Sequence, residues 1–139
     1  MLIAVRRATL IGLVAPLLLA GCSLGGDEET RPATGATRQI AETVGSLDQA
    51  IRRRDFRTVC DRLFTAGARR RAGGRDCPRL LRSTVAGLRR PSIQIVAIEL
   101  SGEKAKVRVR SRAAGQPPLT DTINLVRQGG GYRVEALAD

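Results

Sequence analysis

Four apolar residues, Ile40, Val44, Leu47 and Ile51, recur at spacings of four, three and four. That period lays one stripe along a helix and predicts a helix beginning near Arg38. Asp55 interrupts the stripe after "IRRR", and its carboxylate suits the N-cap of a second helix. Behind it Phe56, Val59, Cys60, Leu63 and Phe64 share one face. "AGARRRAGG" (66–74) then carries no apolar period and reads as a break. Asp76 offers the N-cap of a third helix. Pro78 follows early, where its missing N–H costs nothing. Leu81, Val85 and Leu88 form that helix's stripe, and Pro91 ends it.

The period then shortens to two. "SIQIVAIEL" (92–100), "KAKVRVRSR" (104–112), "LTDTINLVR" (119–127) and "YRVEAL" (132–137) are rich in β-branched residues and largely alternate. Ser101-Gly102-Glu103 and Gly129-Gly130-Gly131 fit hairpin turns, and "AAGQPP" (113–118) fits a longer connection. The expected class is α+β. Three N-terminal helices pack on a curved four-stranded antiparallel sheet within residues 38–139.

The opening of the chain has a different logic. Arg6 and Arg7 precede an uncharged run from Ala8 to Ala20. That run falls well short of the ~20 residues a membrane-spanning helix needs. A positive region followed by a short apolar run is the layout of an export signal. Leu19-Ala20-Gly21-Cys22 resembles the lipobox of bacterial lipoproteins. The resemblance implies that residues 1–21 are removed and that Cys22 carries a diacylglyceryl thioether. It also implies that the new amino terminus is acylated, for instance with palmitate. Each buried CH₂ contributes about 0.8 kcal/mol, so two or more chains hold a protein on a membrane. "SLGGDEETRPATGAT" (23–37) has no hydrophobic period and reads as a flexible tether with a reach of roughly 20 Å. The expected location is the cell membrane, lipid-anchored and facing outside the cytoplasm.

Composition narrows the chemistry. The net charge is +11, and among 24 cations only Lys104 and Lys106 are lysines. So basic a chain points to an anionic partner or simply to an arginine-rich solvated surface. The absence of histidine excludes His-based triads, His metal sites and an unperturbed switch near neutral pH. The only rings are Phe56, Phe64 and Tyr132, too few for the base stacking of a nucleic-acid binder. No phosphate loop and no metal-ligand spacing is present, so neither a cofactor nor a metal is expected.

With Cys22 taken by lipid in an oxidising compartment, Cys60 and Cys77 are expected to form a disulfide. By the two-residue period, Lys104, Lys106, Arg108, Arg110 and Arg112 share one face of a strand. That face is either plain solvated surface or a contact for anionic lipid headgroups or an acidic envelope polymer.

"AIRRRDFRTVCDRL" (50–63), "GEKAKVRVR" (102–110) and "GGGYRVEAL" (129–137) together resemble the nuclear transport factor 2-like superfamily, of the ketosteroid-isomerase type. The resemblance implies a cone-like fold able to take a small apolar ligand. Enzymes of that superfamily place an Asp or His base and a Tyr or acid donor inside the cone. Asp121 shares strand parity with Leu119, Ile123 and Leu125, and Tyr132 offers a hydroxyl, so these two form the candidate pocket pair. The superfamily often dimerises through the outer sheet face. The cationic row opposes that packing, whereas Val96, Ile98 and Leu100 favour it, and the oligomeric state stays open. The leading expectation is a domain that binds a small ligand or an envelope partner. The alternative is an isomerase- or dehydratase-like enzyme using Asp121.

Overall fold

A computed structural model describes residues 34–137. The expected export signal, the lipobox-like stretch with Cys22 and most of the expected tether lie outside the described residues.

The first helix, α1, spans Gly35–Arg53. It starts three residues before the apolar stripe predicts, because the Thr34 side chain caps it by accepting the Thr37 N–H. Ile40, Val44, Leu47 and Ala50 form its buried stripe. At its end Arg54 adopts a left-handed conformation, φ 57°. The Asp55 N–H then bonds the Ala50 carbonyl and the Arg54 N–H bonds the Ile51 carbonyl. These are the two bonds of a Schellman motif, whose left-handed position glycine usually holds. An L-residue there costs about 1–2 kcal/mol.

Asp55 opens α2, Phe56–Thr58, by accepting the Thr58 N–H at 3.1 Å. Hydrogen bonds from Thr58, its hydroxyl first and its N–H second, hold the Asp55 carboxyl below its ordinary value. The helix widens at once into a π-helical turn, Val59–Leu63, closed by the Phe64 N–H on the Val59 carbonyl. Wider turns of this kind keep Val59 and Cys60 both inward.

The expected break at 66–74 is partly helical. α3 covers Ala66–Arg71, capped by the Thr65 hydroxyl on the Ala68 N–H. A short 3₁₀ turn, Gly74–Asp76, leads into α4, Cys77–Thr84. Asp76 makes no capping bond. α4 also stops earlier than its stripe predicts. The hydroxyls of Ser83 and Thr84 both bond the Leu80 carbonyl, at 2.8 and 2.9 Å, and so compete with the helix's own ladder. Val85 and Leu88 remain half-buried in the turns beyond.

The sheet comprises β1 (Ser92–Ser101), β2 (Lys104–Arg112), β3 (Leu119–Gln128) and β4 (Gly131–Leu137). It is antiparallel in the order β1-β2-β3-β4, the meander the alternation predicts. Gly129 and Gly130 turn β3 into β4 with φ of 62° and 80°, which only glycine adopts freely. Two bulges bend the sheet: Val96 is the extra residue against β2, and Glu135 the extra residue against β3.

α1 lies across the concave face. Ile40, Val44 and Leu47 pack with Val107, Val109, Ile123, Leu125 and Val134 in one apolar core. The Thr43 hydroxyl sits 3.2 Å from the Tyr132 carbonyl oxygen and ties α1 to β4. Phe64 forms a parallel bridge with Val134, and the Thr65 N–H bonds the Val134 carbonyl, so β4's free edge is partly covered. Cys60 and Cys77, both buried, are joined by a disulfide with their Cα atoms 6.1 Å apart. No polar or charged side chain is buried among the described residues. The fold is therefore α+β, with one long and several short helices on one face of a bent four-stranded sheet.

Candidate functional site

The concave face is not filled along its whole length. Towards the end of α1, Leu47 and Ile51 line a cavity of about 220 Å³ between the helix and the sheet. Ile93 of β1, Val109 and Ser111 of β2, Asp121, Thr122 and Ile123 of β3 and Leu137 of β4 complete its walls. Asp121 is the one charged residue lining it. Strand register puts it there. Asp121 pairs with Val109, whose side chain is in the core, and directly opposed residues point to the same face. Ser111 Oγ lies 3.3 Å from Asp121 Oδ2, so the hydroxyl donates to the carboxylate and orients it.

A second carboxylate, outside the cavity lining, ties α1 to the sheet. Asp48 Oδ1 accepts the Ile93 N–H at 2.7 Å, and Asp48 Oδ2 pairs with Arg52 Nε at 2.9 Å. The bond to Ile93 fixes α1 to the edge strand β1 at a residue that lines the cavity.

The structure does not bring Tyr132 to this place. Tyr132 pairs with Arg127, six positions along β3 from Asp121. At about 3.3 Å per residue the two groups stand roughly 20 Å apart along the strand. Tyr132 lies instead in the main core, with its carbonyl against Thr43 near the middle of α1. The candidate pocket pair of Asp121 and Tyr132 is thus corrected to Asp121 with Ser111. Parity placed Asp121 inward, but only the pairing of β3 with β4 fixes how far along the sheet Tyr132 falls.

No protein-family model and no curated protein matches this chain. Among solved structures it is similar to a de novo designed NTF2 fold protein, NT-9, at 15% identity and a TM-score of 0.45. That similarity covers 73% of this chain and 83% of the designed one.

Lys104, Lys106, Arg108, Arg110 and Arg112 all lie exposed on the convex face. Their cross-strand partners are Ser101, Glu99, Ala97, Gln94 and Ser92 on one side and Val126, Asn124, Thr122 and Thr120 on the other. Lys104 also reaches Glu135 at 3.9 Å. The Val96 bulge changes the expected apolar strip beside this row. It shifts Ile98 opposite Val107 and Leu100 opposite Ala105, which turns both toward the concave side. Only Val96, half exposed, stays out of that arrangement. Among the described residues the convex face is therefore mainly polar around its cations, with Ala97 and Val126 as the apolar partners of the row. Among the described residues no group of three or more Cys, Asp or Glu is placed to hold a metal ion.

Proposed function

We propose that this chain is a lipid-anchored protein of the cell envelope whose NTF2-like, cone-shaped domain binds a small apolar ligand. The observation that carries the reading is an apolar cavity with a single oriented carboxylate at its wall. Apolar walls remove a ring or short chain from water, and Asp121 selects for a cation or hydrogen-bond donor on it. The volume lies below the roughly 300–1,000 Å³ of most ligand pockets, which limits the occupant to a small molecule. Binding is favoured over the isomerase- or dehydratase-like alternative by the distance to Tyr132. General acid–base chemistry needs both groups within hydrogen-bond reach of one substrate. The cationic convex face supplies attraction to an anionic membrane or envelope polymer once the tether brings the domain near it.

Two measurements test this. The first titrates the full chain with cyclohexylamine, cyclohexanol and cyclohexanecarboxylate and follows the Ile93 and Ile123 methyl signals by NMR. The amine is expected to bind tightest. Asp121→Asn is expected to weaken the amine about tenfold and leave the alcohol unchanged. Amine affinity indifferent to Asp121→Asn would sink the cavity as the site. The second is the intact mass of the native protein purified from its own membranes without reductant. The expected mass is residues 22–139 plus diacylglyceryl and any N-acyl chain, less two hydrogens for the disulfide. A mass equal to the whole unprocessed chain would remove the anchor and the envelope location together.

A further inference from the structure

A second concavity opens where α1 ends. It is a cleft of about 640 Å³ between residues 51–54 and the segment that runs from α4 into β1. Ile51, Val85, Leu88 and Pro91 form its apolar wall. Arg52, Arg54, Arg89 and Arg90 form its rim, and no acidic residue lines it. Ile51 alone is shared with the cavity at Asp121.

The arginines differ in how far they are already engaged. Arg52 is committed to Asp48. Arg54 Nη2 reaches only the Leu88 carbonyl, at 3.4 Å, across the two walls. Among the described residues no carboxylate pairs with Arg54, Arg89 or Arg90. Three arginines thus line one apolar hollow with no carboxylate partner among the described residues. Like charges around one hollow favour an anion there over an empty space.

The backbone adds an independent observation. Arg54 and Arg90 are the two described non-glycine residues with positive φ, 57° and 47°, and both line this cleft, one on each wall. Strained conformations persist where surrounding structure over-determines them, and they gather at ligand sites. Here the Schellman bonds hold Arg54. Pro91 bars Arg90 from the right-handed helical region, and the Ala114 N–H on the Arg89 carbonyl at 2.8 Å pins the same wall.

We propose that this cleft binds an aliphatic phosphate ester. The phosphate is held by Arg54, Arg89 and Arg90, and the first carbons of the chain lie on Ile51, Val85, Leu88 and Pro91. Guanidinium forks match phosphate oxygens in pairs, and the apolar wall rewards a ligand that carries more than the anion. The inference stands apart from the reading of the Asp121 cavity, since its charge, its lining and its ligand differ.

The test places the full chain in neutral phosphatidylcholine nanodiscs and reads binding at the Val85 and Leu88 methyl signals by NMR. The probes are octyl phosphate, inorganic phosphate, octanol and dihexanoylphosphatidylglycerol below its micelle concentration. Octyl phosphate is expected to bind at least about tenfold tighter than octanol or inorganic phosphate. Arg89→Gln with Arg90→Asn is expected to weaken it about tenfold or more. Arg54→Gly serves as the second variant, because glycine suits the left-handed position and the fold is kept. It is expected to weaken octyl phosphate without lowering the melting temperature. Binding of dihexanoylphosphatidylglycerol at comparable strength supports the cleft with a membrane headgroup as the source. Binding of octyl phosphate alone supports it with a soluble phosphomonoester. Octanol or inorganic phosphate binding as tightly as octyl phosphate, or octyl phosphate unaffected by both variants, would overturn the proposal.

Discussion

Replacing both Cys60 and Cys77 by alanine is expected to lower the unfolding free energy by about 3 kcal/mol. The bridge spans 17 residues, and closing a loop of that length removes chain entropy from the unfolded state by about this amount. For a domain of this size that is a large share of a total of roughly 5–15 kcal/mol. The loss is unevenly spread. Cys77 is the only buried residue of α4. Without the bridge α4 keeps half-buried Leu81 and little else against the core. Amide exchange should therefore rise first at Leu81 to Val85, well below the denaturant concentration that unfolds the sheet. Urea titrations of the oxidised protein and the double variant, with exchange followed residue by residue, check both parts. An equal midpoint for the two proteins would mean that the loop's other contacts suffice.

Leu47→Ala is expected to be of similar size, about 3 kcal/mol, for a different reason. Leu47 is 1% exposed at the middle of the buried stripe and faces the centre of the sheet. Removing its isobutyl group forfeits the transfer term and leaves a void the surrounding strands cannot close. The same side chain walls the Asp121 cavity, so the void joins that space. The variant should be less stable and yet accept a bulkier amine than the parent protein does. Thermal melts with and without cycloheptylamine, set against cyclohexylamine, read both effects. Lys106→Ala on the convex face provides the contrast, with a change within about 0.5 kcal/mol. A Leu47→Ala protein as stable as the parent would show that α1 does not seat on the sheet as described.

The contrast between these residues explains what was legible in the sequence. The sheet was legible because alternation is a local property: Ala105, Val107 and Val109 are buried and their neighbours are not. The stripe of α1 was legible for the same reason at a different period. The helix ends were not. Nothing in "IRRRD" marks a left-handed stop, since an arginine takes the place where glycine or asparagine is the usual sign. Phe56, Val59, Cys60, Leu63 and Phe64 fit a regular helix as well as they fit a π-helical turn. α3 escaped because only Ala68 is buried from it, too little to make a period. The bulge at Val96 has no sequence signature either, and it decides which way Ile98 and Leu100 face. Asp121 was legible as inward-facing, whereas its distance from Tyr132 depends on pairings between strands. The arginine cleft was the least legible of all. Its two halves lie more than thirty positions apart in the chain and meet only once the fold is complete.

The contact between α1 and β4 bears on timing. The Thr43 hydroxyl meets the Tyr132 carbonyl across 89 positions, so the first described element is completed by the last described strand. Until β4 emerges, the buried stripe of α1 has only part of its partner surface, and Phe64 has no Val134 to bridge. In a chain fed out from its amino end, the seal between α1 and β4 therefore forms only after the other three strands have emerged.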